Sequence, residues 1–333
     1  MELGVRRVMQ KYLITGGAGF IGSHLADNLL ASGNEVIVLD DLSTGRLENI
    51  EQNSDNSKFK FVEGSILDEE LVSRMIGETD QVLHLAAAVG VFSIMKDPLG
   101  SLKTNIRGSE IVLENACKFM KPVLVTSTSE IYGKNTSDLL SEDDDRILGS
   151  ATKTRWSYSE AKAIEEFLAY SYWKTANLET RIVRLFNTVG PRQVGSYGMV
   201  IPRFISAAIA GESIQVYGNG EQTRCFGHVS DISQGIISVL NSRQTIGEVL
   251  NLGVNFEISI IDLAQLIIKK TNSTSKIELV PYDQAYEEGF EDMQRRVPDT
   301  RKIERITGWK AKLNLEQIID DVISYQLSTQ HKV

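Results

Sequence analysis

Cysteine is scarce in this chain. Cys117 and Cys225 are the only two, far apart in sequence and without metal-ligand spacing, so neither a disulfide scaffold nor a thiolate metal site is expected; both read as thiols of a reducing compartment. The four histidines, His24, His84, His228 and His331, are scattered, and no metal site is expected from them either. Positive charge is also in deficit. Lys and Arg number 35 against 44 Asp and Glu, a net charge of −9, which argues against a nucleic-acid or anionic-membrane surface. No apolar run approaches the roughly twenty residues of a membrane span. Met1 to Gln10 lacks the apolar centre of a secretory signal, so a cytoplasmic protein is expected. The one low-complexity stretch, Glu142-Asp-Asp-Asp145, reads as a solvated loop. What remains is 333 residues, 42% apolar and 24% charged, enough for a soluble globular protein of about two domains.

The first positive signal is a glycine-rich turn, Gly16-Gly-Ala-Gly19-Phe-Ile-Gly22. Val8 to Ile14 is an apolar run of strand-forming residues, and apolar spacing from Phe20 to Leu30 is helical, giving strand, tight turn and helix. Such a turn aims backbone N–H groups and the positive end of a helix at one point, where a pyrophosphate can sit. Asp40 ends the next strand about twenty residues on, where a carboxylate accepts from a ribose 2′-hydroxyl. That favours NAD. Alternatively, Asp40 is a plain solvated acid, and Arg46 is placed to meet the 2′-phosphate of NADP.

Strand-like and helix-like segments alternate up to Asn187, the pattern of an α/β doubly wound parallel sheet. Strands are expected at 11–15, 35–40, 58–63, 81–86, 122–127 and 180–184, and helices at about 21–32, 69–76, 101–119 and 157–175. Beyond Asn187 helices shorten and turns such as Gly190-Pro191 and Gly218-Asn-Gly220 intervene. Residues 9–187 are therefore expected to form a dinucleotide-binding domain, rejoined by about 226–257 through the apolar Val249–Leu252, with 188–225 and 258–330 forming a smaller α/β substrate domain.

Tyr158-Ser-Glu-Ala-Lys162 puts a phenol and an ammonium one helical turn apart on one face. A neighbouring ammonium, with the positive charge of oxidised nicotinamide, makes a phenol a usable base; without context, the same spacing is a frequent accident on helices. Thr126-Ser-Thr-Ser-Glu-Ile-Tyr132-Gly133 follows a strand and reaches the carboxyl edge of the sheet. Thr128 can hold a substrate oxygen there, Ser129 stands beside it, and Glu130 is an acid able to move a second proton; a hydroxyl-rich strand end capping its own turn is the plainer reading.

These residues resemble the extended short-chain dehydrogenase/reductases, in their NAD-dependent nucleotide-sugar epimerase, dehydratase and decarboxylase branch. The resemblance spans nearly the whole chain, on Gly16 to Gly22, Asp40, His84-Leu-Ala-Ala87, Asn105, Ser127 to Gly133, Tyr158 to Lys162, Arg184-Leu-Phe-Asn-Thr-Val-Gly-Pro-Arg192, Val216-Tyr-Gly218, Gln222-Thr-Arg224 and Arg296-Val-Pro-Asp299. It implies a tightly held NAD that takes a hydride from the sugar 4-carbon while Tyr158 takes the hydroxyl proton, leaving a 4-keto sugar. Cofactor contacts are implied for Gly16, Gly19, Phe20, Ile21, Gly22, Asp40, Ser65, Ile66, Leu85, Ala86, Ala87, Asn105, Ser127, Tyr158, Lys162 and Val189. Substrate contacts are implied for Asn187, Arg192, Val200, Phe204, Val216, Tyr217, Arg224 and Arg296, with Asn187, Arg224 and Arg296 on the diphosphate, Phe204, Val216 and Tyr217 about the base, and Arg192 and Arg203 weaker candidates. Ser65 is a departure, since relatives carry Asp there to accept from adenine. A homodimer is implied through the helices at 101–119 and 157–175.

The branch members differ in the fate of the ketone. An epimerase needs no further acid; a decarboxylase of uronates carries Thr-Ser-Glu as at Thr128 to Glu130, with an arginine at Arg296; a 4,6-dehydratase of glucose type carries Asp where Ser129 stands. The resemblance makes Arg296 a phosphate ligand throughout the branch, and the segments Gln193–Met199 and Tyr282–Asp292 look unlike the usual decarboxylases; on those grounds a UDP-hexose or UDP-hexuronate 4-epimerase is expected ahead of a UDP-glucuronate decarboxylase using Glu130, with dehydratase third. A non-catalytic NAD-binding regulator would have lost Tyr158, Lys162 or Thr128, and all three are present.

Overall fold

A computed structural model describes residues 9–89, 97–195, 199–285 and 293–330. Its centre is a seven-stranded parallel sheet made of β1 (Lys11–Thr15), β2 (Glu35–Asp40), β3 (Phe59–Glu63), β4 (Gln81–His84), β5 (Val123–Thr128), β6 (Thr180–Leu185) and β11 (Val249–Leu252), in the order β11-β6-β5-β4-β1-β2-β3. The order reverses between β1 and β4, which leaves a crevice above their carboxyl ends.

Period-two alternation explains how one sheet serves two cores. In β1, Tyr12 and Ile14 pack with α1 (Phe20–Ala31) and with Ile232, Ile236 and Val239 of a later helix, whereas Leu13 joins Ile37 and Leu39 on the other face. That second face is covered by α2 (Glu69–Gly77), α3 (Pro98–Lys118) and α4 (Ser157–Ala176), which contribute Val72, Ile111 and Ala169. Sequence periodicity placed the first six strands and these four helices within a few residues. The strand expected to reach Ala86 stops at His84, because Leu85 N–H and Ala86 N–H donate to Thr15 and the chain then peels off the sheet toward the crevice.

The second lobe is built on α5 (Val200–Ala210), α7 (Ile260–Thr271) and α9 (Leu315–Gln330), around Phe204, Ile205, Leu263, Ile267 and Ile318. Short strand pairs tie it together: β7 (Thr188–Val189) with β10 (Gly227–His228), β8 (Ile214–Tyr217) with β13 (Ile277–Val280), and β9 (Thr223–Cys225) with β12 (Glu257–Ser259). Two further helices, α6 (Val229–Asn241) and α8 (Arg301–Thr307), return to the first face of the main sheet, where Ile303 joins the core. Among the described residues no helix is long and apolar enough to cross a membrane.

One expectation needs correcting here. Glu142 is not part of a solvated acidic loop: its carboxylate accepts from Asn251 N–H at 2.7 Å, and its carbonyl accepts from Arg184. Arg184 also forms a two-pronged pair with Glu166, at 3.0 and 2.9 Å, and donates to Tyr132 Oη. Asn251 in turn accepts from Tyr132 Oη, so the edge strand β11 is sewn to the loop that follows β5.

Candidate active site

Above the strand ends lies a cleft of about 850 Å³. One half of it is shaped for a dinucleotide. Gly16 turns the chain at φ +70°, and a Cβ on Gly22 would stand 2.4 Å from Gly16 O, so no other residue lets α1 begin this close to the turn. The N-terminus of α1 has no side-chain cap, which leaves its first N–H groups for an anion. Asp40 holds the loop by accepting from Ala18 N–H and Leu42 N–H; burial pushes its pKa above the ordinary carboxylate range, and those two bonds oppose the rise. Ser127 Oγ is buried at the cleft wall with no hydrogen-bond partner among the described residues, an open polar atom that a bound group would satisfy. Uncapped helix, glycine cradle, strand-end acid and open hydroxyl together fit NAD.

Most residues expected to touch cofactor line this cleft: Gly16, Gly19, Phe20, Ile21, Gly22, Asp40, Ile66, Leu85, Ala86, Ala87, Ser127, Tyr158, Lys162 and Val189. Ser65 and Asn105 do not. Ser65 Oγ accepts from Leu67 N–H and caps its own turn, and Asn105 exchanges two hydrogen bonds with Ala88, so it shapes the wall from behind.

Tyr158 and Lys162 enter from α4, and Thr128 ends β5. Thr128 Oγ1 accepts from Glu130 N–H, which leaves its own proton to donate to a substrate oxygen. Lys162 is less free than its spacing suggests: Nζ donates to Thr126 O at 2.8 Å and to Glu165 Oε2 at 2.7 Å. The sequence reading had Lys162 easing the ionisation of Tyr158. In the folded protein burial pushes the phenol upward, and the charges of Glu165 and Glu130 push the same way.

Glu130 is clamped. Its Oε1 accepts from Arg296 Nη1 at 2.5 Å and its Oε2 meets Arg155 Nη2 at 2.5 Å. Burial opposes its charge, but the two guanidiniums outweigh that and hold the carboxyl down at about 2. At neutral pH Glu130 is therefore a carboxylate with no proton to give. Sequence reasoning missed Arg155, although a signal existed: it lies three residues before Tyr158, in a turn that runs straight into α4.

On the substrate side, Asn187, Arg192, Val200, Arg203, Tyr217, Arg224 and Arg296 line the cleft. Arg203 stacks on the Tyr217 ring at 4.1 Å, and Arg192 is tied to Asp27 of α1 at 2.7 Å. Phe204 and Val216 do not line it, because the apolar faces of α5 and β8 turn them into the second lobe's core. Arg296, expected on phosphate, lies instead against Glu130 and Ser129. Of the segments that suggested an epimerase, residues 196–198 and 286–292 lie outside the described residues.

Comparison with known proteins agrees on the family and corrects the reaction. The profile of the family described as GDP-mannose 4,6 dehydratase matches residues 13–322. The UDP-N-acetyl-alpha-D-glucosaminuronate decarboxylase of Bacillus cytotoxicus is 40% identical over 317 residues, covering 95% of this chain and 97% of that one. UDP-glucuronic acid decarboxylase 1 of Danio rerio is 37% identical, covering 95% and 72%. Among solved structures, the UDP-glucuronic acid 4-epimerase of Bacillus cereus, in complex with UDP-glucuronic acid and NAD, superposes with a TM-score of 0.87 at 28% identity, covering 96% and 99%. The expected 4-epimerase does not stand. The epimerase likeness is one of architecture, whereas relatives 40% and 37% identical are named for decarboxylation, and Arg296, counted as a phosphate ligand in favouring the epimerase, pairs with Glu130 in the folded protein. This chain is a member of the GDP-mannose 4,6-dehydratase family of extended short-chain dehydrogenase/reductases, enzymes that act on nucleotide-linked sugars with NAD.

Proposed function

We propose that this protein decarboxylates a UDP-linked hexuronate, with UDP-glucuronate and UDP-N-acetylglucosaminuronate as candidate substrates. The observation that carries this reading is the Arg155–Glu130–Arg296 clamp at the cleft wall. Two guanidiniums converge on one carboxylate at the cleft wall, where they can also meet a second carboxylate, that of the sugar. Relatives named as decarboxylases of those two sugars support the choice.

Bound NAD supplies the acceptor for the C4 hydride and later returns it. Tyr158 takes the C4 hydroxyl proton, and Thr128 donates to the same oxygen as it becomes a carbonyl. The C6 carboxylate is then beta to a ketone. When the C5–C6 bond breaks, carbon dioxide leaves and the electron pair passes to the C4 oxygen, where Thr128 and protonated Tyr158 stabilise it. A proton delivered from water then replaces the lost group at C5, and the electron pair returns from the C4 oxygen to re-form the ketone. Glu130, ionised throughout, competes with the sugar carboxylate for Arg155 and Arg296. That keeps the ground state from being held too firmly for its charge to leave.

Incubation with each uronate, followed by mass analysis and proton NMR, tests the reading. A pentose-type product that has lost carbon dioxide is expected; isomers of unchanged mass would overturn it.

We also infer a homodimer through α4. Ile164, Phe167 and Tyr170 are 39%, 66% and 43% exposed along one side of that helix, an apolar stripe at helical spacing. Sedimentation at micromolar concentration is expected to give twice 37.0 kDa, and Phe167→Asp to give the monomer; a wild-type monomer would remove the inference.

A further inference from the structure

Beneath the catalytic pair lies a buried cluster that the reaction does not consume. Glu165, 1% exposed, sits between two ionisable partners: Lys162 Nζ at 2.7 Å on its own helix, and His84 Nε2 at 3.6 Å from β4. His84 donates or accepts on both ring nitrogens, with Ser109 Oγ of α3 at 3.0 Å and Thr15 Oγ1 of β1 at 2.8 Å. Burial, with the Lys162 charge, lowers the histidine to about 3, so it is neutral and Glu165 has no cation to share except Lys162. Burial raises Glu165, and the pair with Lys162 opposes the rise.

The remaining charges around the group are accounted for. Glu166, next on α4, is neutralised by Arg184 from β6, and Glu130 by Arg155 and Arg296. Lys162 has three N–H donors; Thr126 O and Glu165 take two. One is left for the cleft that Lys162 lines.

We propose that Glu165 is a positioning residue for the catalytic pair: it pins the Lys162 ammonium and cancels its charge, so that Tyr158 becomes a base only once oxidised nicotinamide is bound. An unpaired ammonium one helical turn away would ease ionisation of the phenol at all times. With Glu165 in place the local charge is near zero, and the positive charge that draws the proton off Tyr158 must come from the cofactor. The protein without NAD then holds no buried phenolate. The inference rests on Tyr158 being the base and is independent of whether carbon dioxide is subsequently lost.

The test is the ionisation of Tyr158 itself, read as tyrosinate ultraviolet absorbance against pH in NAD-loaded protein, with Tyr158→Phe as the blank. Because Gln matches Glu in shape and still accepts from Lys162, Glu165→Gln is expected to move the Tyr158 transition down by about one pH unit, and the acid limb of kcat/KM with it. A lower melting temperature with both curves unmoved would make Glu165 merely structural and overturn the proposal. If Glu165→Gln does not fold, the wild type decides: its Tyr158 transition must fall when NAD binds, and equal transitions with and without NAD would sink the idea. Activity toward uronates plays no part in the absorbance readout, so failure here and failure of the decarboxylase reading are separable.

Discussion

Tyr158→Phe is expected to lower kcat on a uronate by about 10³-fold while leaving NAD bound, since removing a positioned acid–base group costs on that order. The change deletes one oxygen at the end of α4 and keeps the ring. Lys162 stays anchored to Thr126 and Glu165, so the lysine at the cleft wall is undisturbed. The C4 hydroxyl proton, however, has no acceptor: Glu130 is an anion locked between two guanidiniums, and Thr128 is a donor. Rapid mixing should therefore show no reduced nicotinamide after uronate is added. A variant retaining more than a tenth of wild-type kcat would remove Tyr158 from its role.

Glu130→Gln has two consequences of opposite sense. It frees Arg155 and Arg296 to hold the sugar carboxylate more firmly, so KM falls. The carboxylate must then leave a site that grips it, and kcat falls by about 100-fold. An unchanged kcat would break the link between the clamp and the chemistry. The same substitution also changes stability. Glu130 is held at about 2 against an ordinary 4.5, a depressed value, so its contribution of about 3 kcal/mol is present above pH 4.5 and lost as pH falls toward 2. Denaturant titrations at pH 7 and pH 3 should show the wild type losing more than half of that increment and the Gln variant, already without it, losing less.

Much of this was legible in the sequence because it is local. Strand and helix periods, the glycine turn and the Tyr158–Lys162 spacing each depend on neighbours a few positions apart, and their bounds fall within a few residues of the observed ones. Side-chain partners from distant segments were not legible. Glu130 meets Arg296 across 166 positions, and nothing in either local pattern says whether that arginine faces phosphate or carboxylate. Glu165 is next to Lys162 on any helical wheel, yet the neutral His84 that denies it a second cation arrives from β4. Phe204 and Val216 failed for the opposite reason: both lie on amphipathic elements whose apolar face is the one a small lobe must bury, so packing claimed them before any ligand.

The edge strand β11 bears on how this enzyme can be taken apart. It lies beside β6, and its Asn251 donates to Leu140 O and Asp299 O, while Leu140 N–H donates to Val297 O on the segment that carries Arg296. A fragment ending at Asn187 would expose the whole hydrogen-bonding edge of β6 and lose the strand that finishes its core. The cofactor half is thus not a module that can be excised, swapped or expressed alone, and chimaeras between relatives should be joined outside residues 249–299, so that β11 and the Arg296 segment travel together.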